Sequence, residues 1–189
     1  MSTVIQIAAV GDILVSKSMI HTARCGAEDS FDFAPLFQHT APILRKADLT
    51  IGNLEVPLAG RETLYTYRHP KTRFYAFNAP DELATALKEA GFDVLLTANN
   101  HCLDRGMAGL TRTLEVLDRA QISHTGTYKE PETAGEPLLL EIRGIRIGIC
   151  AYSKSTNKLP LPEEQAWAVN LIDEQRIRHD LIELRKRAD

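Results

Sequence analysis

The chain has 189 residues, of which 44% are hydrophobic and 25% are charged, and its formal net charge at pH 7 is −3. These values are ordinary for a soluble globular protein of one domain, and the charge gives no reason to expect nucleic acid as a partner. No apolar run approaches the roughly 20 residues that span a bilayer, and the first residues lack a signal-peptide pattern. The three cysteines form no Cys-x-x-Cys pair, which favours free thiols. We therefore expect a cytoplasmic protein, or one of the cell envelope if an anchor is missing from this sequence.

The first predicted element is a buried strand over residues 4–10, which runs into Gly11 and Asp12. Its β-branched and apolar side chains favour a strand. The glycine lets the chain turn, which leaves the carboxylate of Asp12 at the strand's carboxyl end, where it is a suitable hard ligand for a divalent cation. The alternative is that Asp12 caps a helical turn that starts at residue 13.

A helix is expected over residues 35–46, and Pro42 is expected to divide it into two short pieces. A second short strand then covers residues 47–52 and leads into Asn53 and Glu55. Because alternate side chains of an extended segment point the same way, Asn53 and Glu55 are expected to face one site. The alternative is a turn before Pro57 that leaves Glu55 in solvent.

Residues 60–73 are predicted to form a loop that carries a basic cluster of Arg68, His69, Lys71 and Arg73. Guanidinium groups suit phosphate and carboxylate, so this cluster is a candidate for binding an anionic substrate. More often such a run is only a solvated loop. A strand at residues 74–77 and a helix between Pro80 and Gly91 are expected to follow.

The next strand covers residues 92–98 and ends in a polar segment that contains Asn100, His101 and Asp104. Amide and carboxylate oxygens and imidazole nitrogen are all metal ligands, although asparagine and aspartate also favour turns. After it we expect a helix over 107–120, a short strand near 122–127, and a hairpin of strands at 137–142 and 146–152. An amphipathic helix is expected over 170–187, with Leu171, Ile172, Ile177, Leu181 and Leu184 available to a core.

Strands and helices alternate along most of the chain, which predicts an α/β fold with a largely parallel sheet. Three strands end in candidate ligands, and in such sheets the carboxyl ends of the strands carry the binding sites. The convergence favours a site over three unrelated turns. The chain has neither the Gly-x-Ser-x-Gly elbow of serine hydrolases nor a phosphate-binding P-loop.

Four segments together resemble a known family. They are Gly11-Asp12, the run from Ala47 to Glu55, Phe77-Asn78-Ala79-Pro80, and the run from Ala98 to Gly106. In order and spacing these segments are similar to the bacterial capsule synthesis family called CapA, whose members are tied to poly-γ-glutamate synthesis or export. That family is similar in turn to the calcineurin-like metallophosphoesterases. The resemblance implies a metallophosphatase-like β-sandwich flanked by helices, with metals at the strand ends.

The resemblance also implies roles for single residues. Asp12 is expected to bind a first metal, with Glu55 and the neighbouring Asn53 near the position of a bridging carboxylate, and Asn100 is expected to bind a second metal. His101 is expected to act on the leaving group, and Asp104 is expected to orient His101 or the loop that carries it. The cofactor is expected to be a divalent metal, with Mn²⁺ first and Mg²⁺ or Fe²⁺ as alternatives.

The sequence departs from the family pattern after about residue 152. The His-Trp-Gly and Gly-His-x-x-His segments that bring further histidine ligands are missing, so residues 1–189 are expected to form the N-terminal two thirds of one domain. The expected function is a metal-dependent hydrolase of the phosphoesterase type in capsule synthesis. The alternative is a non-catalytic component that binds polyglutamate or a synthase and keeps a relic metal site. The expected partners are an anionic polymer or a phosphorylated small molecule, and a capsule synthase.

Overall fold

The structure, a computed structural model, describes residues 3–26 and 29–189. In chain order its elements are β1 (Ile7–Ile13), α1 (Lys17–Ala23), β2 (Arg24–Cys25), β3 (Ser30–Phe31), α2 (Ala34–Phe37), α3 (Ala41–Leu44), β4 (Leu49–Leu54), β5 (Thr66–Arg68), β6 (Tyr75–Phe77), α4 (Glu82–Ala90), β7 (Val94–Leu96), α5 (Gly106–Arg119), β8 (Ser123–Thr125), β9 (Leu138–Ile142), β10 (Ile145–Ile149) and α6 (Glu174–Leu184). Short 3-10 turns at Pro131–Thr133 and Glu163–Ala168 complete the chain.

A parallel sheet of four strands lies at the centre, in the order β1-β4-β7-β8. Helices flank it, so the fold is of the expected α/β class and consistent with a metallophosphatase-like architecture. Because all four strands point the same way, their carboxyl ends meet at one edge, as the sequence predicted. The described residues also form three antiparallel sheets of two strands each, which pair β9 with β10, β5 with β6 and β2 with β3.

The first strand departs from its prediction in two ways. It is an edge strand, and Val4, Ile7 and Val10 are exposed rather than buried, because no described strand pairs with its outer side. It also runs on to Ile13, so Asp12 lies inside the strand. The capping alternative for Asp12 is therefore wrong. Ser16 caps α1 instead, with its Oγ accepting a hydrogen bond from the backbone N–H of Met19 at 3.4 Å.

A bulge in β1 sets the position of the aspartate. Ala9 pairs with Ile51 and Asp12 pairs with Asn53, so β1 has one more residue between these pairs than β4. Regular alternation from Ala9 would turn Asp12 to the opposite face of the sheet. The bulge brings its side chain to the face that carries Asn53.

The main core lies between the sheet and α4, whose Leu83 and Leu87 are fully buried. A smaller core under α5 contains Leu103, Leu110 and Leu114. The expected helix is divided into two short pieces as predicted, and Pro42 lies in the first turn of the second piece, α3. Among the larger apolar residues of these pieces, Leu44 is buried and Phe37 packs against the core. Leu36 and Ile43 are exposed, because two single-turn helices cannot bury one continuous face.

The hairpin of β9 and β10 turns at Arg143 and Gly144, both with positive φ, as a type I′ turn requires. Helix α6 packs beside it through Leu184, its only buried residue. The prediction that the apolar face of this segment packs into a core is therefore mostly wrong, since Leu171, Ile172 and Leu181 are exposed. Among the described residues, no helix combines the length and the apolar composition needed to cross a bilayer.

Candidate functional site

The carboxyl ends of β1, β4 and β7 bring together six polar side chains, which we call the strand-end cluster. Its members are Asp12, Asn53, Glu55, Asn99, His101 and Asp104. Asp12 and Asn53 lie opposite each other on paired strands, and Glu55 follows two residues later. The other three lie in the turn between β7 and α5. The sequence predicted this convergence, and it named five of the six residues.

A chain of amide hydrogen bonds orients Asp12. The Asn53 amide donates to Asp12 Oδ1 at 2.8 Å. The Asn99 amide donates to Asn53 Oδ1 at 3.1 Å and to the backbone carbonyl of Leu54 at 2.8 Å, while its own Oδ1 accepts from the backbone N–H of His101 at 3.1 Å. Because Asn99 is buried and bonded on both sides, it links β4 to the turn that carries the histidine.

The carboxyl groups of Asp12 and Glu55 are neighbours, and each shifts the pKa of the other. Burial, followed by the neighbouring Asp12, raises the pKa of Glu55 to about 6. The hydrogen bond from Asn53, followed by the one with Glu55, lowers the pKa of Asp12. Of the two groups, Glu55 is therefore the first to take up a proton as the pH falls, while Asp12 keeps its negative charge.

His101 is held by Asp104. Its Nδ1 lies 2.7 Å from Asp104 Oδ2, and this carboxylate oxygen also accepts the backbone N–H of Phe77 at 2.7 Å. The Phe77 ring meets the imidazole edge-on, with centroids 4.9 Å apart. Since a carboxylate can only accept, Nδ1 carries the hydrogen and Nε2 keeps its lone pair.

The free ring nitrogen of His101 faces the carboxyl pair. Nε2 lies 3.9 Å from Glu55 Oε1, close enough for proton exchange after a small side-chain movement. On the other side of the ring, the Asn157 amide approaches Nδ1 at 3.5 Å. That is the long limit of hydrogen bonding, so Asp104 is the group that fixes the ring. The cluster thus combines a pair of neighbouring carboxyl groups with an oriented imidazole.

The four basic candidates lie apart from this arrangement, on the hairpin of β5 and β6. Arg68 Nε donates to the backbone carbonyl of Arg73 at 2.8 Å, and His69 Nδ1 accepts from the backbone N–H of Thr72 at 3.2 Å. Lys71 and Arg73 are exposed in the turn. In the part of the chain that the structure describes, no hydrogen bond or ion pair joins any of the four to the strand-end cluster. The hairpin meets the cluster through Phe77.

Three contributors were not predicted from the sequence. Asn99 is the buried amide of the cluster, whereas the predicted Asn100 lies half-buried in the turn that follows. The Asn-Asn pair was a visible signal, but the backbone of the turn decides which amide points inward. Phe77 and Asn157 reach His101 from 24 and 56 positions away in the chain, and no local pattern indicates such contacts.

The donor atoms of the cluster suit a hard divalent cation. Such ions prefer oxygen ligands, and Mg²⁺ in particular is often held by one or two carboxylates while water completes its coordination. A cation between Asp12 and Glu55 would offset the repulsion between their charges. Among residues 3–26 and 29–189, however, no group of three or more His, Cys, Asp or Glu is arranged to hold a metal.

Comparison with known proteins gives a family match over almost the whole chain. The family described as "Bacterial capsule synthesis protein PGA_cap" matches residues 6–189. The uncharacterized protein y4sH of Sinorhizobium fredii is 30% identical over 148 residues, which are 78% of this chain and 30% of the relative. The capsule biosynthesis protein CapA of Bacillus anthracis is 27% identical over 76% of this chain and 33% of the relative. The PGA biosynthesis protein CapA of Bacillus subtilis is 25% identical over 79% and 37%. The matched region spans about a third of the length of these relatives.

Proposed function

Because the chain belongs to the bacterial capsule synthesis protein family, we propose that it takes part in the synthesis or export of an anionic capsule polymer. Two relatives that it resembles are named for capsule or PGA biosynthesis, which supports this assignment. Poly-γ-glutamate is the polymer class that follows from those names. Since the chain covers about a third of each relative, the proposal concerns the activity of the whole protein to which this region belongs.

Within that function, the strand-end cluster is proposed as a hydrolytic centre that works with a divalent cation. The observation that carries this proposal is the Asp12–Glu55 carboxyl pair beside an oriented His101. Two adjacent carboxyl groups, one with its pKa raised to about 6, are costly to keep side by side unless a proton or a cation lies between them. Their location at the ends of parallel strands is typical of an active site.

Each residue of the strand-end cluster has a separate role in this proposal. Asp12 and Glu55 would hold the cation, with Mn²⁺ first and Mg²⁺ or Fe²⁺ as alternatives, and Asn53 with Asn99 keeps Asp12 in place. When bound, the cation polarises the scissile group and lowers the pKa of a bound water. His101 is suited to moving a proton at Nε2, because Asp104 keeps the hydrogen on Nδ1.

A calorimetric titration of the metal-free chain with Mn²⁺ tests the cation site. Binding is expected in the unchanged chain and in Asp118→Asn, a surface carboxylate variant of equal charge change. It should weaken at least tenfold in Asp12→Asn and in Glu55→Gln, because each variant removes one of two anionic ligands. Equal affinity in all four proteins would show that the carboxyl pair does not hold the metal.

Turnover is tested separately, in the full-length protein with Mn²⁺. Hydrolysis of an aryl phosphate and of γ-linked glutamate oligomers is measured for the unchanged protein, for His101→Ala and for Asp12→Ala. Loss of hydrolysis in both variants is the expected result, with Asp118→Asn retaining it. Full activity in both would place the chemistry elsewhere.

A non-catalytic role is the second candidate. It is favoured by the lack, among the described residues, of a third His, Cys, Asp or Glu arranged with the pair to hold a metal. In that case the protein binds the polymer or a synthase partner, and the cluster is a relic. This role predicts polymer or partner binding that persists in Asp12→Ala, together with no metal-dependent turnover in the unchanged protein.

A further inference from the structure

A small basic pocket lies between α1 and the segment that leads into β5. It encloses about 100 Å³ and is lined by Lys17, Ile20, His21, Arg24, Thr63, Leu64, Tyr65 and Thr66. It shares no residue with the strand-end cluster. Three of its eight lining residues are basic and none is acidic, although the chain as a whole has a net charge of −3. The pocket is thus a local positive region on an acidic protein.

Two hydroxyl groups of residues that line this pocket are buried with no acceptor for their hydrogen. The side-chain oxygens of Tyr65 and Thr66 are shielded from solvent, and neither donates a hydrogen bond within the described part of the chain. Tyr65 is 6% exposed. A buried hydroxyl that loses its hydrogen bonds to water is costly, so such groups generally have a partner in the functional state. Both residues line the pocket, and each hydroxyl keeps a hydrogen that it can donate.

The state of the tyrosine agrees with a donor role. Burial raises the pKa of Tyr65, and this outweighs a hydrogen bond from the backbone of Glu62, which lowers the pKa and leaves the phenol hydrogen without an acceptor. The phenol is therefore neutral at physiological pH and keeps its hydrogen. An acceptor with several lone pairs, such as a carboxylate or a phosphate, satisfies donors from two residues at once.

Two of the basic side chains are free to serve the same ligand. Lys17 and His21 are one turn apart on α1, so they lie on the same side of that helix. Neither has an ion-pair partner among residues 3–26 and 29–189. Arg24 is paired with Asp29 at 3.2 Å, and both side chains are about half exposed. An exposed pair of this kind is weak, so Arg24 can turn to a second anion at small cost.

We propose that this pocket binds an oxyanion group, a carboxylate or a phosphate, between Lys17 and His21 and the hydroxyls of Tyr65 and Thr66. Its size suits one such group and not a whole sugar or nucleotide. The ligand is thus a small anion, or one anionic group of a larger molecule whose remainder stays in solvent. The inference depends neither on metal binding nor on catalysis at the strand-end cluster.

An NMR titration of the isotope-labelled chain tests the proposal, with inorganic phosphate in one arm and glutarate in the other. The amide signals of residues 17–24 and 63–66 should shift in a saturable way in at least one arm. An effect in both arms indicates a general oxyanion site, and an effect in one arm identifies the ligand class. Shifts confined to the strand-end cluster, or no saturable shift at all, would overturn the proposal.

Two variants and one control make the test specific. Tyr65→Phe keeps the ring and removes the hydroxyl, and Lys17→Glu reverses the charge. Each should weaken binding about tenfold or more, since hydrogen bonds to charged groups are stronger than neutral ones. Lys46→Glu makes the same change of charge on an exposed lysine outside the pocket and should bind like the unchanged chain.

The stability of Tyr65→Phe supplies an independent readout. Removing a buried hydroxyl whose hydrogen has no acceptor should leave the melting temperature of the ligand-free chain nearly unchanged. A clear fall in the melting temperature would show that this hydrogen already has an acceptor in the protein. That result, like unchanged affinity in both variants, would contradict the proposal.

Discussion

At the scale of single residues, the cluster depends on the different environments of two neighbouring carboxyl groups. Asp12 receives a hydrogen bond from Asn53 and is mostly exposed, whereas Glu55 is largely buried and faces the charge of Asp12. The environment of Asp12 lowers the pKa of that carboxyl group, and the environment of Glu55 raises the pKa of the other. This difference gives the metal-free chain a dependence on pH that can be measured.

The stability of the metal-free chain is expected to fall between about pH 4.5 and pH 6 because of Glu55. Its pKa rises from 4.5 to about 6 on folding, so the folded state holds the proton more tightly than the unfolded state. Below pH 4.5 both states are protonated, and above pH 6 the folded state bears the cost of a buried charge. Glu55→Gln removes this cost and should raise the free energy of unfolding at pH 7 by about 1 kcal/mol.

Urea unfolding between pH 4 and pH 8 measures this effect as the difference between Glu55→Gln and the unchanged chain. Glu115→Gln, which replaces an exposed carboxylate on α5, is the matched control and should show no such trend. A difference that stays constant with pH would contradict the raised pKa.

Asp104 is the residue that we expect to matter most for the geometry of His101. Its carboxylate accepts hydrogen bonds from His101 Nδ1 and from the backbone N–H of Phe77, and its side chain is 1% exposed. Both bonds reach the same oxygen, Oδ2, so Asp104→Asn can keep an acceptor there, but it removes the negative charge that strengthens both bonds and buries an NH₂ group beside them. We expect a loss of about 1–3 kcal/mol in the free energy of unfolding, together with a weaker preference for hydrogen on His101 Nδ1 that nitrogen NMR shifts can measure.

The pair of His124 and Asp118 provides the comparison. It has the same chemistry, with His124 Nε2 3.0 Å from Asp118 Oδ1, but the carboxylate is half exposed. Asp118→Asn should cost less than about 1 kcal/mol. Equal losses in the two variants would show that the burial of Asp104 does not increase the contribution of its hydrogen bonds to the free energy of unfolding.

At the scale of the elements, the turn after β7 is held in place by the end of β8. Gly126 has a φ of +106°, and a Cβ added there would lie 2.6 Å from the Cβ of Ala98 and 2.9 Å from its backbone nitrogen. Ala98 precedes Asn99, so this close contact of two backbones positions the cluster. Any side chain at position 126 must push the turn away.

Gly126→Ala should therefore destabilise the fold by about 2–5 kcal/mol, from backbone strain and overpacking together. Gly144→Ala is the control, because Gly144 has a φ of +81° and no atom near an added Cβ. It should cost about 1–2 kcal/mol, from backbone strain alone. Thermal unfolding of both variants gives the comparison, and similar melting temperatures would argue against the close contact.

The elements also show what the sequence could and could not predict. Apolar runs, Gly91 and Pro42 indicated most strands and helix ends correctly, because those signals are local. Burial was predicted less well. The pattern of β1 and α6 is apolar enough for a core, yet Ile7 and Leu181 are exposed, since burial depends on which neighbours cover an element. For the same reason the contact between Asn157 and His101 could not be predicted, since only the fold brings these two residues together.

At the scale of the whole molecule, stability is unevenly distributed. Helix α5 buries six residues on its inner side, among them Leu110 and Leu117, whereas α6 buries only Leu184. Segments with few buried apolar contacts open locally without global unfolding. We therefore expect α6 to be a separate, weaker unit of the described structure.

Amide hydrogen exchange tests this expectation under native conditions. Amides in the middle of α5 should exchange only through global unfolding, and those of α6 should exchange at least tenfold faster. Leu184→Ala should speed exchange in α6 further and leave α5 almost unchanged. Equal protection of the two helices would show that they unfold as one unit.

The bulge in β1 has a consequence for how such a site changes over time. In a regular strand, a slip of one residue turns every later side chain to the other face. Here the additional residue between Ala9 and Asp12 separates the half of β1 that starts the sheet from the half that carries the carboxylate. Loss of that residue straightens the strand and still leaves Asp12 opposite Asn53. A change of one residue in the length of β1 can therefore be absorbed at the bulge without moving the site. Related chains are expected to differ by one residue there while keeping the aspartate beside its amide partner.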